Sequence, residues 1–232
     1  MSGETKSFRE IELEGWDSRA TTYGPLAGSF TQHAAPHLLE ATAVGKGTRV
    51  LDIACGPGYV SSAAAALGAE TLGLDFAPSM VVEARRTFPS LRFEEGDAEA
   101  LGLPDASFDA VICAFGLLHM ARPDAAVREA FRVLKPGGRY AYSVWALEKF
   151  FKVIADVVAE HGNPNVPMPP APPMFRFADA AESRDALKAA GFVDATLKTV
   201  DLHWYPDSPQ AFLDFIDKSA VCSSLLINLQ TP

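Results

Sequence analysis

The chain has 232 residues, 48% of them hydrophobic and 21% charged. That balance suits a folded domain whose core needs no disulfide or metal staple, and it excludes wholesale disorder. With 20 basic against 29 acidic side chains the formal charge is −9. A field of that sign repels phosphate backbones and anionic lipid, so neither nucleic acid nor a membrane surface is an expected partner.

Residues 1–47 read as an N-terminal helical cap carrying Trp16, Tyr23, Phe30, His33 and His37. Its charged start has no apolar core of the signal-peptide kind. From Thr48 an alternating pattern begins. Thr48 to Cys55 is a short β-branched run ending in glycines and predicts a buried strand. Gly58 to Leu67 is alanine-rich and predicts a helix, with Gly68 as its stop. Glu70 to Asp75 predicts a second strand, and Ala77 to Phe88 a second helix with a proline at its start. Leu91 to Glu95 and Phe108 to Phe115 predict a third and fourth strand, and Asp124 to Leu134 a helix. Lys135-Pro136-Gly137-Gly138 is read as a turn, and Arg139 to Trp145 as a fifth strand. Strands alternating with helices at this spacing imply right-handed βαβ units, hence an α/β, doubly wound, mainly parallel sheet over residues 48–146.

Residues 147–232 are read as a lid and the closing elements of the same domain. Asn163 to Pro173 holds six prolines and must be irregular. After it come a helix (Ala180 to Ala190), Gly191 as its cap, a strand (Phe192 to Trp204) and a helix opening at Asp207-Ser208-Pro209. Leu225 to Leu229 is the one remaining candidate for a last strand. If it is missing, one sheet edge stays open and invites a homodimer. Cys55, Cys113 and Cys222 are odd in number and form no CxxC pair, which points to a reducing, cytoplasmic setting and no zinc site. The uncharged run Ile53 to Ala69 contains three glycines, a proline and two serines, a poor membrane span.

Ligands of open parallel sheets collect at the carboxyl ends of the strands. The first such turn is Asp52-Ile53-Ala54-Cys55-Gly56-Pro57-Gly58, and Asp75 ends the second strand, where a carboxylate can accept from a ribose diol. The turn lacks the G-x-G-x-x-G that a dinucleotide pyrophosphate wants, and it begins with a carboxylate instead. A carboxylate suits a cationic ligand. S-adenosylmethionine, with its sulfonium, ammonium and ribose, fits better than a nicotinamide dinucleotide.

The segments VLDIACGPG (50–58), GLDFAPSM (73–80), EEGDAEALGLPDASFDAVICAF (94–115) and LKPGGRYAYSVW (134–145) resemble the class I S-adenosylmethionine-dependent methyltransferases. They are most similar to the group that includes the ubiquinone and menaquinone methyltransferases and many small-molecule enzymes. The resemblance runs from about Trp16 to Phe215 and implies a Rossmann-like sheet of seven strands, or six if the last is absent. It implies methyl transfer to a small-molecule acceptor with release of S-adenosylhomocysteine. It also implies roles for residues. Asp52, Ala54 and Gly56 would line the methionine end, Asp75 would bind the ribose hydroxyls, and Phe76 and Met80 would flank the adenine. Asp97 would accept from the adenine amino group and the Ala98 N–H would meet a ring nitrogen. Cys113 to Phe115 would offer a carbonyl to the ammonium and open onto the acceptor, and Tyr23 would close over the methionine end. Ala54 departs from the family's D-x-G-x-G-x-G, which implies a slightly altered approach of the cofactor.

His119 follows the fourth strand and is the candidate base, because histidine titrates in the useful range; the competing reading is a histidine bonded within its own loop. An Asp/Asn-Pro-Pro-aromatic motif for an extruded base is missing after the fourth strand, as are an acidic metal cluster and a paired-glutamate loop. The Pro-rich loop and Met174-Phe175-Arg176-Phe177 are apolar and aromatic, as a lid over a small, largely apolar molecule would be. The rival functions are cofactor binding without turnover and, less favoured by the turn, nicotinamide-dependent oxidoreduction.

Overall fold

The computed structural model describes residues 6–146, 150–163 and 165–230. Five strands, β1 (Arg49–Ile53), β2 (Glu70–Asp75), β3 (Arg92–Glu95), β4 (Phe108–Ala114) and β5 (Leu134–Ser143), form one sheet in the order β3-β2-β1-β4-β5. All four neighbouring pairs are parallel. The chain winds outward from β1 to β3, then crosses back to β4 on the far side of β1. That reversal opens a crevice at the carboxyl ends of β1 and β4, where an open sheet binds ligands.

Alternation along the strands builds the two faces. Leu51 and Ile53, with Val111 and Cys113, pack against Val127, Ala130 and Val133 of α5 (Pro123–Val133) on one face. Val50, Ala110 and Ile112 pack on the other against Leu38 and Leu39 of α2 (Ala35–Ala41) and Val60 and Ala64 of α3 (Tyr59–Ala66). Asp52 has the parity of Val50, so it faces α3. Helix α4 (Pro78–Thr87) follows β2. The expected turn at Lys135–Gly138 is a bulge inside β5: Leu134 pairs with Phe108 and Arg139 already with Ala110.

Helix α1 (Phe8–Tyr23) starts at a Ser7/Glu10 capping box and packs on α4. Asp17 Oδ1 accepts from the Ser79 N–H at 2.7 Å and so caps α4 from outside. A π-helical turn, Gly24–Gly28, then carries the chain towards α2.

Three expectations for the carboxyl-terminal part need correction. Among the described residues the sheet has five strands, not seven or six. Leu225–Leu229, the candidate last strand, belongs instead largely to helix α9 (Val221–Asn228). Phe192–Trp204, expected as a strand, has no regular structure. The two outcomes share one cause. A strand over 192–204 needs a hydrogen-bonded neighbour beside β5, and the segment that would have supplied it is helical. Phe192 donates its N–H to the Leu187 carbonyl at 3.0 Å and stacks on Tyr140 with centroids 5.4 Å apart, Leu202 and Trp145 both pack against the α2 side of the core, and the Trp204 and Phe215 ring centroids lie 4.4 Å apart.

The helices α6 (Phe150–His161), α7 (Ala180–Ala190) and α8 (Pro209–Ser219) complete the chain. Gly191 ends α7 at φ 107°, as expected, while Asp179 caps its start and Ser208 caps α8. The Pro-rich stretch is irregular, Pro164 lying outside the described residues. Its far end is anchored rather than free. Arg176 makes a bidentate pair with Asp124, at 2.6 and 2.9 Å, and Phe177 is buried against Tyr142. No helix among the described residues is long and apolar enough to cross a membrane.

Candidate functional site

The β1–α3 turn concentrates unusual backbone. Gly56 has φ 51° and Gly58 φ 88°. A Cβ on Gly58 would stand 2.5 Å from the Phe93 ring, whereas one on Gly56 would enter open space. Gly58 is therefore required by packing, and Gly56 leaves room for a ligand to approach the backbone. Ala54 also sits in the left-handed region, at φ 54°, a conformation costing an L-residue roughly 1–2 kcal/mol. The same strain recurs at Phe115, φ 57°, just after β4. The two strained turns touch: a Cβ on Gly116 would lie 2.6 Å from the Ala54 Cβ.

Asp52 is 0% exposed. Its Oδ2 accepts from the Ser61 N–H at 2.9 Å and from the Ser61 hydroxyl at 2.7 Å. Its Oδ1 is buried with no partner. Burial pushes its carboxyl up to about 7, against the two Ser61 bonds that favour ionisation. Asp75, also buried, accepts from the Gly56 N–H at 2.8 Å and the Ala77 N–H at 3.0 Å, one on each oxygen. Burial again dominates and raises its carboxyl to about 6. Each Asp75 oxygen keeps a further lone-pair direction for a hydroxyl donor. An orphaned, buried carboxylate oxygen is what a cationic amine would satisfy, and Asp75, bonded to the Gly56 N–H, suits a diol. The donor set thus fits S-adenosylmethionine.

These groups line a cavity of about 1390 Å³, larger than the 300–1,000 Å³ typical of a site for one small ligand. Tyr23, Ala54, Gly56, Phe76, Met80, Asp97, Ala98, Phe115 and His119 also lie on its wall. Cys113 does not. Its side chain is 0% exposed in the sheet core, and burial pushes its thiol up to about 12. Tyr23 donates to or accepts from Thr31 at 3.1 Å, and burial raises its phenol to about 12, so it is a neutral hydroxyl. Asp97 is held by Arg9 of α1 at 2.9 Å and accepts from the Glu99 N–H at 2.8 Å. Arg9 also lies over the Phe76 ring, 5.9 Å from its centroid. Beyond Phe115 the wall is aromatic, with Trp145 stacked on Phe115 at 4.1 Å and Phe30 on Trp145 at 5.6 Å.

The His119 N–H bonds within its own loop, to the Gly116 carbonyl at 3.0 Å, but its ring reaches outside the loop. Its Nδ1 lies 2.9 Å from Oε2 of Glu12, a fully buried residue of α1. Glu12, Arg9 and Ser61 carry no motif, and the sequence reading missed all three. The only signal was helical spacing: Arg9, Glu12 and Trp16 recur at three and four residues and share one face of α1.

Residues 51–142 match the family described as "Methyltransferase domain". An uncharacterized protein of Mycobacterium tuberculosis is 32% identical over 154 residues, 64% of this chain and 56% of that protein. Demethylmenaquinone methyltransferase of Beutenbergia cavernae is 43% identical over 101 residues, 44% of this chain and 42% of the enzyme. The chain thus spans about half the length of these relatives. Among solved structures, a chain of the Haloferax volcanii complex between the Trm112 methyltransferase activator and a methyltransferase superposes with a TM-score of 0.63 at 25% identity, covering 93% of both chains.

Two outcomes follow from this geometry. The folded state holds protons on Asp52 up to about 7, whereas the unfolded carboxyl loses them near 3.8. Folding therefore binds protons across that window, and this group's contribution to stability falls as pH rises through it. Asp52→Asn carries no such charge, so its melting temperature should exceed that of the native chain by a few degrees at pH 8. At pH 5 the gap should narrow; an equal gap at both values contradicts the assignment. Second, Gly116→Ala should cost roughly 1–3 kcal/mol through its contact with Ala54. Ala54→Gly should recover part of that loss in a double-mutant cycle by chemical denaturation, and strict additivity would refute the contact.

Proposed function

We propose that the chain, whose residues 51–142 match the family described as "Methyltransferase domain", is a class I S-adenosylmethionine-dependent methyltransferase that transfers the cofactor's methyl group to a small, largely apolar acceptor in the cytoplasm. The observation that carries the reading is the unpartnered Oδ1 of the buried Asp52 on the cavity wall. When bound, S-adenosylmethionine supplies a methyl group on a positively charged sulfur, to which an acceptor's electron pair bonds while the carbon–sulfur pair stays on sulfur.

The chain's own residues then have simple tasks. Asp52 takes the ammonium, with Ala54 and Gly56 beside it. Asp75 takes the ribose hydroxyls. Phe76 and Met80 hold the adenine, which Asp97 and the Ala98 N–H read at its edge. Tyr23 covers the methionine end. The Phe30, Trp145 and Phe115 wall excludes water and aligns an apolar acceptor, which is most of what an in-line displacement needs. His119 removes a proton where the acceptor must lose one. The aromatic lining, with its net apolar character, favours a small organic molecule over a nucleic acid.

Calorimetry with S-adenosylmethionine tests the binding. Asp52 must be ionised to pair with the ammonium, and its carboxyl lies near 7. Affinity should therefore rise on the order of tenfold from pH 5.5 to 7.5. Asp52→Asn should bind more weakly and without that slope. Release of S-adenosylhomocysteine over a panel of metabolites separates an enzyme from a protein that only binds.

A further inference from the structure

Among the described residues outside the cofactor groups, Glu12 is the carboxylate with no exposed surface at all, at 0%. It stands on α1, the helix that roofs the crevice, and three side chains from three elements converge on it. Its Oε2 receives the Trp16 indole N–H at 2.8 Å and lies 2.9 Å from His119 Nδ1. Its Oε1 receives the Cys222 thiol at 2.8 Å. An indole N–H can only donate, so the oxygen that His119 faces is already acting as an acceptor. An ionised carboxylate completes this set by accepting from all three groups, and His119 Nδ1 then carries the proton. The Trp16 ring meets the imidazole edge-to-face at 4.7 Å and 82°, which fixes the ring plane. His119 lines the cavity, and its Nε2 has no partner among the described residues.

We propose that Glu12 is a positioning residue that holds His119 in the Nδ1–H tautomer, so that Nε2 presents a lone pair to an acceptor whose reacting atom carries a removable proton. This rests on the methyl-transfer reading and narrows its acceptor class to phenols, enols or acidic carbons rather than tertiary amines or thioethers. In the proton step the acceptor's O–H or C–H bond breaks. Its proton bonds to Nε2, and the electron pair remains on the acceptor atom. The imidazolium so formed has its charge beside the Glu12 carboxylate, which stabilises it where no water can. Asp75, the other carboxylate whose field His119 feels, adds to the same effect from β2.

The test is ¹⁵N-histidine NMR of the ligand-free chain, which needs neither cofactor nor acceptor. Native protein with neutral imidazole should show His119 as the Nδ1–H tautomer. Glu12→Ala should shift it predominantly to Nε2–H, and the isosteric Glu12→Gln should retain the native tautomer without the charge. A native His119 in the Nε2–H form overturns the proposal, and that reading stands even if the alanine variant fails to fold. Over matched panels of phenols and tertiary amines, phenols should be methylated, and Glu12→Gln should slow them at least tenfold in kcat while the KM for S-adenosylmethionine is unchanged. Turnover confined to the amines, or a kcat within twofold of native for Glu12→Gln, also overturns it. Loss of S-adenosylmethionine binding by the native chain would sink the methyl-transfer reading instead, and calorimetry reports that separately.

Discussion

The site depends on a carboxylate buried against its own interest. Asp52 gives up water on both oxygens and regains hydrogen bonds on one. A buried polar atom without a partner costs on the order of 1–3 kcal/mol, and more if it is charged. β1 holds it there because the parity that buries Leu51 and Ile53 on one face turns Asp52 towards α3 on the other. Strand register, not local preference, decides its place, and in the function proposed above the ammonium of the cofactor would remove the cost. Strain at Ala54 and Phe115 adds to the same account: two turns in a costly conformation, pressed against each other at the mouth of the switch between β1 and β4.

Helix α1 completes the site by polar anchors. Asp17 caps α4, Arg9 pairs with Asp97, and Glu12 meets His119. Each contact ties the helix to a different element of the crevice wall, so the roof has a defined position over the cleft. Of these bonds the Glu12–His119 contact is the one most shielded from water, so it is worth more than an exposed equivalent and is costlier to break by removing one partner.

The strand–helix rhythm from residue 48 to 145 was legible because buried parallel strands are short apolar runs ended by glycine. Asp52 and Asp75 stood out because they end such runs. The anchors on α1 did not, since Arg9 and the buried Glu12 make that helix read as polar all round, and hydrophobic periodicity cannot detect a buried polar side chain. Phe192–Trp204 misled for the opposite reason. Its alternation reports which way side chains face and says nothing of a ladder partner, which depends on Leu225–Leu229 folding as a strand rather than as part of α9. Strand parity puts the Cys113 side chain in the core, while the role expected of Cys113 to Phe115 is that of a backbone carbonyl and does not depend on that side chain.

The most direct measurement is a crystal structure of the chain soaked with S-adenosylmethionine. The account predicts a nucleoside lying along the carboxyl ends of β1 and β2, its ammonium within hydrogen-bond distance of Asp52 Oδ1 and its ribose hydroxyls on Asp75. Density elsewhere in the cavity, or a ligand that leaves Oδ1 of Asp52 without a partner, would contradict it.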